Sequence, residues 1–143
     1  MKVLLIHPPS SEVYEKFKRK EINRLPIGLA YITAVAELDN HDVEVVDAEA
    51  SHLSLVDIKS IAESYQPDVV GITCTTPIFP IAVKIADLLK DVNPFIKTII
   101  GGPHINALPR ESLLECSNID YVVYGEGERT FSELLRCIED GNR

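Results

Sequence analysis

The strongest constraint on the fold is a regular alternation of two hydrophobic periods along the chain. Val3-Leu4-Leu5-Ile6, Val43-Glu44-Val45-Val46, Val69-Val70-Gly71-Ile72, Thr98-Ile99-Ile100 and Tyr121-Val122-Val123-Tyr124 are short β-branched or apolar runs, the pattern of strands covered on both faces. Between them apolar residues recur at helical spacing: Ile27, Ala30, Tyr31, Ala34 and Leu38, then Leu55, Ile58, Ile61, Ala62 and Tyr65, then Ile78, Ile81, Ala82, Ile85, Leu88 and Leu89. Each set predicts a one-faced helix. Ser54 with Asp57 predicts a capping box, Thr76-Pro77 an N-cap followed by a first-turn proline, and Pro109 the start of a short helix. A last helix carrying Phe131, Leu134, Leu135 and Ile138 is expected to stop near Gly141. Strands alternating with helices predict an α/β fold with a doubly wound, five-stranded parallel sheet, flavodoxin-like (Rossmann-like) in the order 2-1-3-4-5.

No repeat, low-complexity tract or Gly/Ser linker interrupts this pattern, so residues 1–143 read as a single domain. A chain of that length buries roughly 68–70% of the surface its unfolded form exposes, enough to stand without disulfides or a structural metal. The net charge of −8 argues against sequence-independent binding of nucleic acid, which draws its affinity from Lys and Arg on phosphates. The longest weakly polar run, Leu25 to Ala36, falls short of the roughly 20 residues that cross a bilayer. The apolar stretch at the N-terminus gives way to Pro8-Pro9 too soon for a secretory h-region, and the expected location is the cytoplasm. Cys74, Cys116 and Cys137 are odd in number and widely spaced, which predicts three reduced thiols and no Cys-rich metal site.

In doubly wound sheets ligands bind outside the carboxyl ends of the strands. The loops expected there read His7-Pro8-Pro9 with the stretch to Gly28, then Asp47-Ala48-Glu49, Thr73-Cys74-Thr75-Thr76-Pro77, Gly101-Gly102-Pro103-His104 and Gly125-Glu126-Gly127-Glu128. Glycines permit close approach of backbone to a ligand, and the hydroxyls of Thr73, Thr75 and Thr76 donate without filling the crevice. Three such loops on one rim point to a bulky planar or elongated ligand. A phosphate-accepting receiver would need a cluster of acids after the first strand and an acceptor Asp after the third, where His7-Pro8-Pro9 and Thr73 stand. The G-x-G-x-x-G of a dinucleotide site is absent after the first strand, and Glu126 and Glu128 beside Gly125-x-Gly127 would repel phosphate.

Leu25-Pro26-Ile27-Gly28-Leu29-Ala30-Tyr31-Ile32, His41 to Asp47, Val70-Gly71-Ile72-Thr73, Gly101-Gly102-Pro103-His104 and Asp120 to Glu128 together resemble the N-terminal cobalamin-binding domain of B12-dependent radical SAM proteins. The resemblance spans nearly the whole chain. The wider cobalamin-binding family carries D-x-H-x-x-G, S-x-L and G-G motifs. Here the first falls on Asn23-x-Leu25-x-x-Gly28, the second on Thr73-x-Thr75, and the third is met by Gly101-Gly102. With Leu25 where the cobalt-ligating His would stand, the resemblance implies cobalamin held without a protein His ligand. It further implies that the cofactor's dimethylbenzimidazole tail is taken in beside Thr73, Gly101 and Gly102, and that the corrin lies against Pro8, Pro9, Pro26 and Ile27. Gly28, Cys74, Thr75, Pro103, His104, Gly125, Glu126 and Gly127 complete the implied cofactor site. The [4Fe–4S] cluster and S-adenosylmethionine would belong to a radical SAM catalytic domain in cis or trans, because C-x-x-x-C-x-x-C occurs nowhere in the chain. The expected role is a cobalamin-binding module of a longer, methyl-transferring enzyme, with no catalytic residue and no protein metal ligand of its own.

Several residues have plainer readings. His104 and His7 more readily contact the cofactor's periphery or the backbone than cobalt, Cys74 reads as a small packing residue, and His41 and His52 read as surface residues. Lys16, Lys18, Arg19 and Lys20 form a basic cluster whose simplest account is a solvated face. Two alternatives stay open: a cofactor-free interaction or regulatory module, and a small enzyme using His104 with Glu126 or Glu128 as acid and base.

Overall fold

The five apolar runs pair as a single parallel sheet. Lys2–His7 (β1) lies between Asp42–Asp47 (β2) and Val69–Thr73 (β3), followed by Lys97–Gly101 (β4) and Tyr121–Val122 (β5), in the order β2-β1-β3-β4-β5. The structure, a computed structural model, describes residues 1–10 and 26–141. Asn23, Leu25 and the basic cluster Lys16, Lys18, Arg19 and Lys20 lie outside those residues. The helices are Ile27–Leu38 (α1), Leu55–Tyr65 (α2), Phe79–Val92 (α3), Pro103–Ala107 (α4), Pro109–Glu115 (α5) and Gly127–Glu139 (α6). This is the doubly wound α/β sandwich that the alternation predicts.

Side chains alternate across the pleat and so divide the core in two. Leu4, Ile6, Val70, Ile72 and Ile100 meet α2 and α3 through Ile58, Ala62, Ala82, Ile85 and Leu89. On the opposite face Val3, Leu5, Val69, Ile99 and Val123 meet α1 and α6 through Leu29, Ala36, Phe131 and Leu135. The helices that begin and end the described alternation therefore cover one face together. Ser132 Oγ and the Arg136 guanidinium both donate to the carboxylate of Asp39 just past α1, locking the pair.

The capping box at α2 is present: Asp57 N–H donates to Ser54 Oγ at 3.3 Å and Ser54 N–H to Asp57 Oδ2 at 2.8 Å. Ser54→Ala should lower the thermal midpoint by roughly 2–4 °C in a calorimetric scan, and an unchanged midpoint would show that the cap contributes nothing. Pro109 opens α5, and Gly141 follows α6 at φ +69°.

Three local expectations fail. The stripe Ile27, Ala30, Tyr31, Ala34 and Leu38 faces outward, with Ile27, Tyr31 and Leu38 at least 60% exposed, while Leu29 and Ala36 carry the buried face. α1 is apolar nearly all round, so its periodicity does not say which side meets the sheet. His41 is buried rather than on the surface, its Nδ1 3.4 Å from the Met1 ammonium. Thr76 does not cap a helix with its side chain; Thr75 is the N-cap of a short 3-10 turn, Thr76–Ile78, and Thr76 Oγ1 pairs with His104 Nδ1 at 3.2 Å.

Candidate functional site

Gly71 sits in the middle of β3 and carries no side chain on the face covered by α1 and α6. A Cβ there would stand 2.7 Å from Leu5 Cδ2 and 3.5 Å from the Phe131 ring. Leu5 and Phe131 close over the strand at this point, and beside them a cavity of about 200 Å³ lies between the sheet and the first turns of α1 and α6. Leu5, Leu29, Ile32, Ile99, Val123 and Phe131 form its apolar walls, and Thr73, Glu126 and Glu128 are its polar side chains. Six of the chain's seven glycines, all but Gly141, line it.

Two of these glycines hold the site together and two leave it open. Gly102 has φ +100° and ψ −175°, a conformation that essentially only glycine adopts. A Cβ at Gly102 would lie 2.8 Å from both Cys74 O and Thr73 Oγ1. The three exit loops are stitched across this point: Cys74 N–H donates to Gly101 O at 3.0 Å, and His104 N–H to Cys74 O at 3.2 Å. Asn106 Oδ1 accepts from Gly125 N–H at 2.8 Å. By contrast, a Cβ at Gly28 or Gly125 would meet nothing within 4 Å. The rim is fixed by hydrogen bonds and the mouth is open.

Of the residues singled out from sequence, Gly28, Thr73, Gly101, Gly102, Gly125, Glu126 and Gly127 come together as the lining. Pro8, Pro9, Pro26, Ile27, Cys74, Thr75, Pro103 and His104 do not line the cavity. Cys74 belongs to the core on the opposite sheet face, where burial pushes its thiol up to about 12 and keeps it protonated. His104 is buried against Phe79, ring centroids 4.2 Å apart, and is committed to Thr76. Pro8 is buried, Thr75 and Pro103 are exposed, and Ile27 projects outward beside Gly28.

His7 pairs with Asp47 instead, Nδ1 to Oδ1 at 2.9 Å, across the register that joins β1 to β2. Ser10 donates through its backbone N–H and hydroxyl to Glu49. Both carboxylates after β2 thus hold the Pro8-Pro9 segment against the sheet. Among the described residues no group of three or more His, Cys, Asp or Glu is placed to hold a metal ion.

The walls contributed by Leu5, Leu29, Ile32, Gly71, Ile99, Val123 and Phe131 were not among the sequence candidates. One signal was available for Gly71: a lone glycine inside a β-branched strand marks a place where something approaches the sheet closely. The remaining walls read as ordinary core in sequence, and only the placement of α1 beside α6 turns them into a site.

A lining of this kind suits a flat, largely apolar group entering between sheet and helices. Its volume is below the roughly 300–1,000 Å³ of pockets that enclose a drug-sized ligand, so it has room for part of a large molecule and not for the whole. The family model for the B12 binding domain matches residues 24–135. An uncharacterised methyltransferase of Pyrococcus horikoshii is 37% identical over 99% of the chain, which spans 30% of that relative. An anaerobic magnesium-protoporphyrin IX monomethyl ester cyclase of Rubrivivax gelatinosus is 32% identical over 99% of the chain and 25% of the relative. Among solved structures, the cobalamin-dependent S-adenosylmethionine radical enzyme OxsB with aqua-cobalamin bound superposes with a TM-score of 0.80. It shares 19% identity, and the match covers 99% of the chain and 19% of that enzyme. The chain therefore spans less than a third of the length of each of these proteins.

Proposed function

The chain belongs to the B12-binding domain family, and from that premise we propose that it is the cobalamin-holding module of a radical SAM enzyme, one that transfers methyl groups. The observation that carries the proposal is the glycine-lined slot opening at the carboxyl ends of β3, β4 and β5. The residues present fit the group. Gly28 leaves space on the α1 side, and Gly101 and Gly102 bring the backbone of the β4 exit loop close without side chains. Thr73 supplies a hydroxyl beside them. The corrin disc would rest on the rim formed by Pro9, Pro26, Ile27, Thr75 and Pro103, while Pro8 and His104 are buried and out of its reach.

Bound cobalamin would supply a cobalt centre that accepts and passes on a methyl group. The chain's own part is to bind, orient and shelter. The stitched loops keep the rim in its binding geometry before the cofactor arrives, which lowers the ordering cost of association. The reaction, substrate, iron–sulfur cluster and S-adenosylmethionine belong to a catalytic domain in cis or trans, and residues 1–143 are the N-terminal domain of that assembly in this reading. The relative named a methyltransferase supports methyl transfer. No helix among the described residues is long and apolar enough to cross a membrane, and Cys74, Cys116 and Cys137 are free. Both fit a module working in the cytoplasm.

The experiment is retention of hydroxocobalamin after desalting, read from the visible spectrum, for the wild-type chain and for Gly28→Leu. Leucine at this open helical position should leave the thermal midpoint unchanged or slightly higher, since glycine is a poor helix former, while obstructing the slot. Cofactor retention by the wild type and at least tenfold weaker binding by the variant are expected. A wild-type chain that retains no cobalamin defeats the proposal, and equal binding by the folded variant removes the slot from it.

A further inference from the structure

We propose that the outward face of α1 is the surface on which the catalytic domain of the assembled enzyme docks; this rests on the reading of residues 1–143 as one module of a larger enzyme. Ala30, Tyr31, Ala34 and Leu38 are all exposed, Tyr31 by 60% and Leu38 by 81%, and Ile27 heads the same stripe. Glu37 is the one charge in this helix, whereas α6 beside it carries Glu128, Arg129, Glu133, Arg136 and Glu139. The inner face of α1 is already committed to the sheet through Leu29 and Ala36. A helix that is apolar on both faces belongs between two layers of protein.

The stripe also joins the two places that such an enzyme must connect. Its upper end is the mouth of the slot, where Gly28 follows Ile27. Its lower end is where the chain starts and where α6 finishes. There the Met1 nitrogen lies 3.6 Å from the Glu139 carboxylate, and Met1 O accepts from Asp42 N–H just past α1. The 12 residues of α1 cover about 18 Å between these points. A catalytic domain joined at either end of residues 1–143 therefore enters beside Leu38 and has to reach the slot at the opposite end of α1. The apolar stripe is the straight path between them.

Other occupants fit this face less well. Five side chains on about three turns fall far below the roughly 20–30 residues a side that two separate proteins bury in a standard interface. A joined domain docks at an effective concentration in the millimolar range and needs no such area. Helices that lie on a lipid surface carry Lys and Arg along their polar face, and α1 has neither. Ala30 and Ala34 lie one turn apart between the larger Ile27, Tyr31 and Leu38, a groove between ridges of the kind that admits another helix. The contacting element is thus an apolar helix of the catalytic domain.

The test introduces Tyr31→Cys, Leu38→Cys and, as a control on the other sheet face, Lys59→Cys, each in a Cys137→Ser background; Cys74 and Cys116 are buried. Labelling by a water-soluble maleimide is followed by peptide mass spectrometry in residues 1–143 alone and in the assembled enzyme, with cobalamin retention read in parallel. Labelling at positions 31 and 38 should be at least tenfold slower in the assembled enzyme, with position 59 unchanged. Equal rates in the two proteins, or equal slowing at position 59, overturn the docking, and retained cobalamin then leaves the cobalamin-holding role standing. Slow labelling of residues 1–143 alone overturns it as well. Slowing at every concentration means that the stripe is covered from within, slowing that deepens with concentration that a second copy covers it, and slowing only with phosphatidylglycerol vesicles that a membrane does. Protection of positions 31 and 38 in an assembly that retains no cobalamin upholds the docking and removes the cofactor role.

Discussion

Gly102→Ala should lower the thermal midpoint by roughly 10 °C, equivalent to about 3–4 kcal/mol for a chain of this size. Two costs combine. The backbone at φ +100° and ψ −175° is a region that costs a side-chain-bearing residue about 1–3 kcal/mol. The new methyl would also press on Cys74 O and Thr73 Oγ1 at 2.8 Å and on Cys74 N at 3.0 Å. The Cys74 peptide cannot easily retreat, because its N–H is held by Gly101 O and its carbonyl by His104 N–H. Gly125→Ala is the control: φ is +78° but a Cβ there meets nothing within 4 Å, so only the backbone cost of about 1–2 kcal/mol applies. Equal midpoints for the two variants in parallel calorimetric scans would show that the contact at Gly102 carries no weight.

Asp120→Asn should cost about 1–3 kcal/mol at neutral pH, a range reduced from that of fully buried pairs because Asp120 is partly exposed. Lys90 on α3 places its ammonium 2.6 Å from Asp120 Oδ2, and Thr98 N–H donates to the same oxygen at 2.8 Å. Lys90 also donates to Ile96 O, so the charge is fixed in place whether or not the carboxylate is there. Burial pushes the Asp120 carboxyl up, but the Lys90 ammonium and the Thr98 N–H and hydroxyl together outweigh it and hold the group below the usual aspartate range. The stabilisation is therefore complete above the unfolded value of about 3.9 and disappears as pH falls through the lower folded value. Urea unfolding at pH 7, 5 and 3 should show a wild-type advantage that is full at the first two and shrinks at the third. An advantage that instead grew on acidification would contradict the ion pair.

The fold was legible because its two periods differ sharply and seldom overlap. β3 reads as a strand from Val69, Val70 and Ile72, and α3 as a helix from the regular return of Ile81, Ala82, Ile85 and Leu89. The rim was legible for a related reason: glycines, short hydroxyls and prolines cluster where strands end, and the topology rule says which ends matter. The walls of the slot were not. Ile32 and Phe131 are far apart in sequence and become neighbours only because α1 and α6 cover the same sheet face. The outward turn of Tyr31 and Leu38 was hidden by a helix with apolar residues on every side. His41 looked like a surface residue beside Asp39 and Asp42, but its position between α1 and β2 buries the ring. Cys74 follows Thr73 and turns to the opposite face of the sheet by the alternation of the strand, while His104 sits in the first turn of α4 and is drawn in against Phe79 and Thr76.

The interior place of β1, between β2 and β3, also sets an order of events in synthesis. The strand is made first, yet its inner neighbour arrives late: Lys2 N–H donates to the Asp68 carboxylate 66 residues further on, just where β3 begins. At about 5–20 residues per second the ribosome needs roughly 3–13 s to bridge that interval. Throughout it Val3, Leu4, Leu5 and Ile6 form an apolar strand with at least one open edge. The segment that later floors the slot thus spends seconds of synthesis as an apolar strand without its inner partner, which is where a holding chaperone would have work to do.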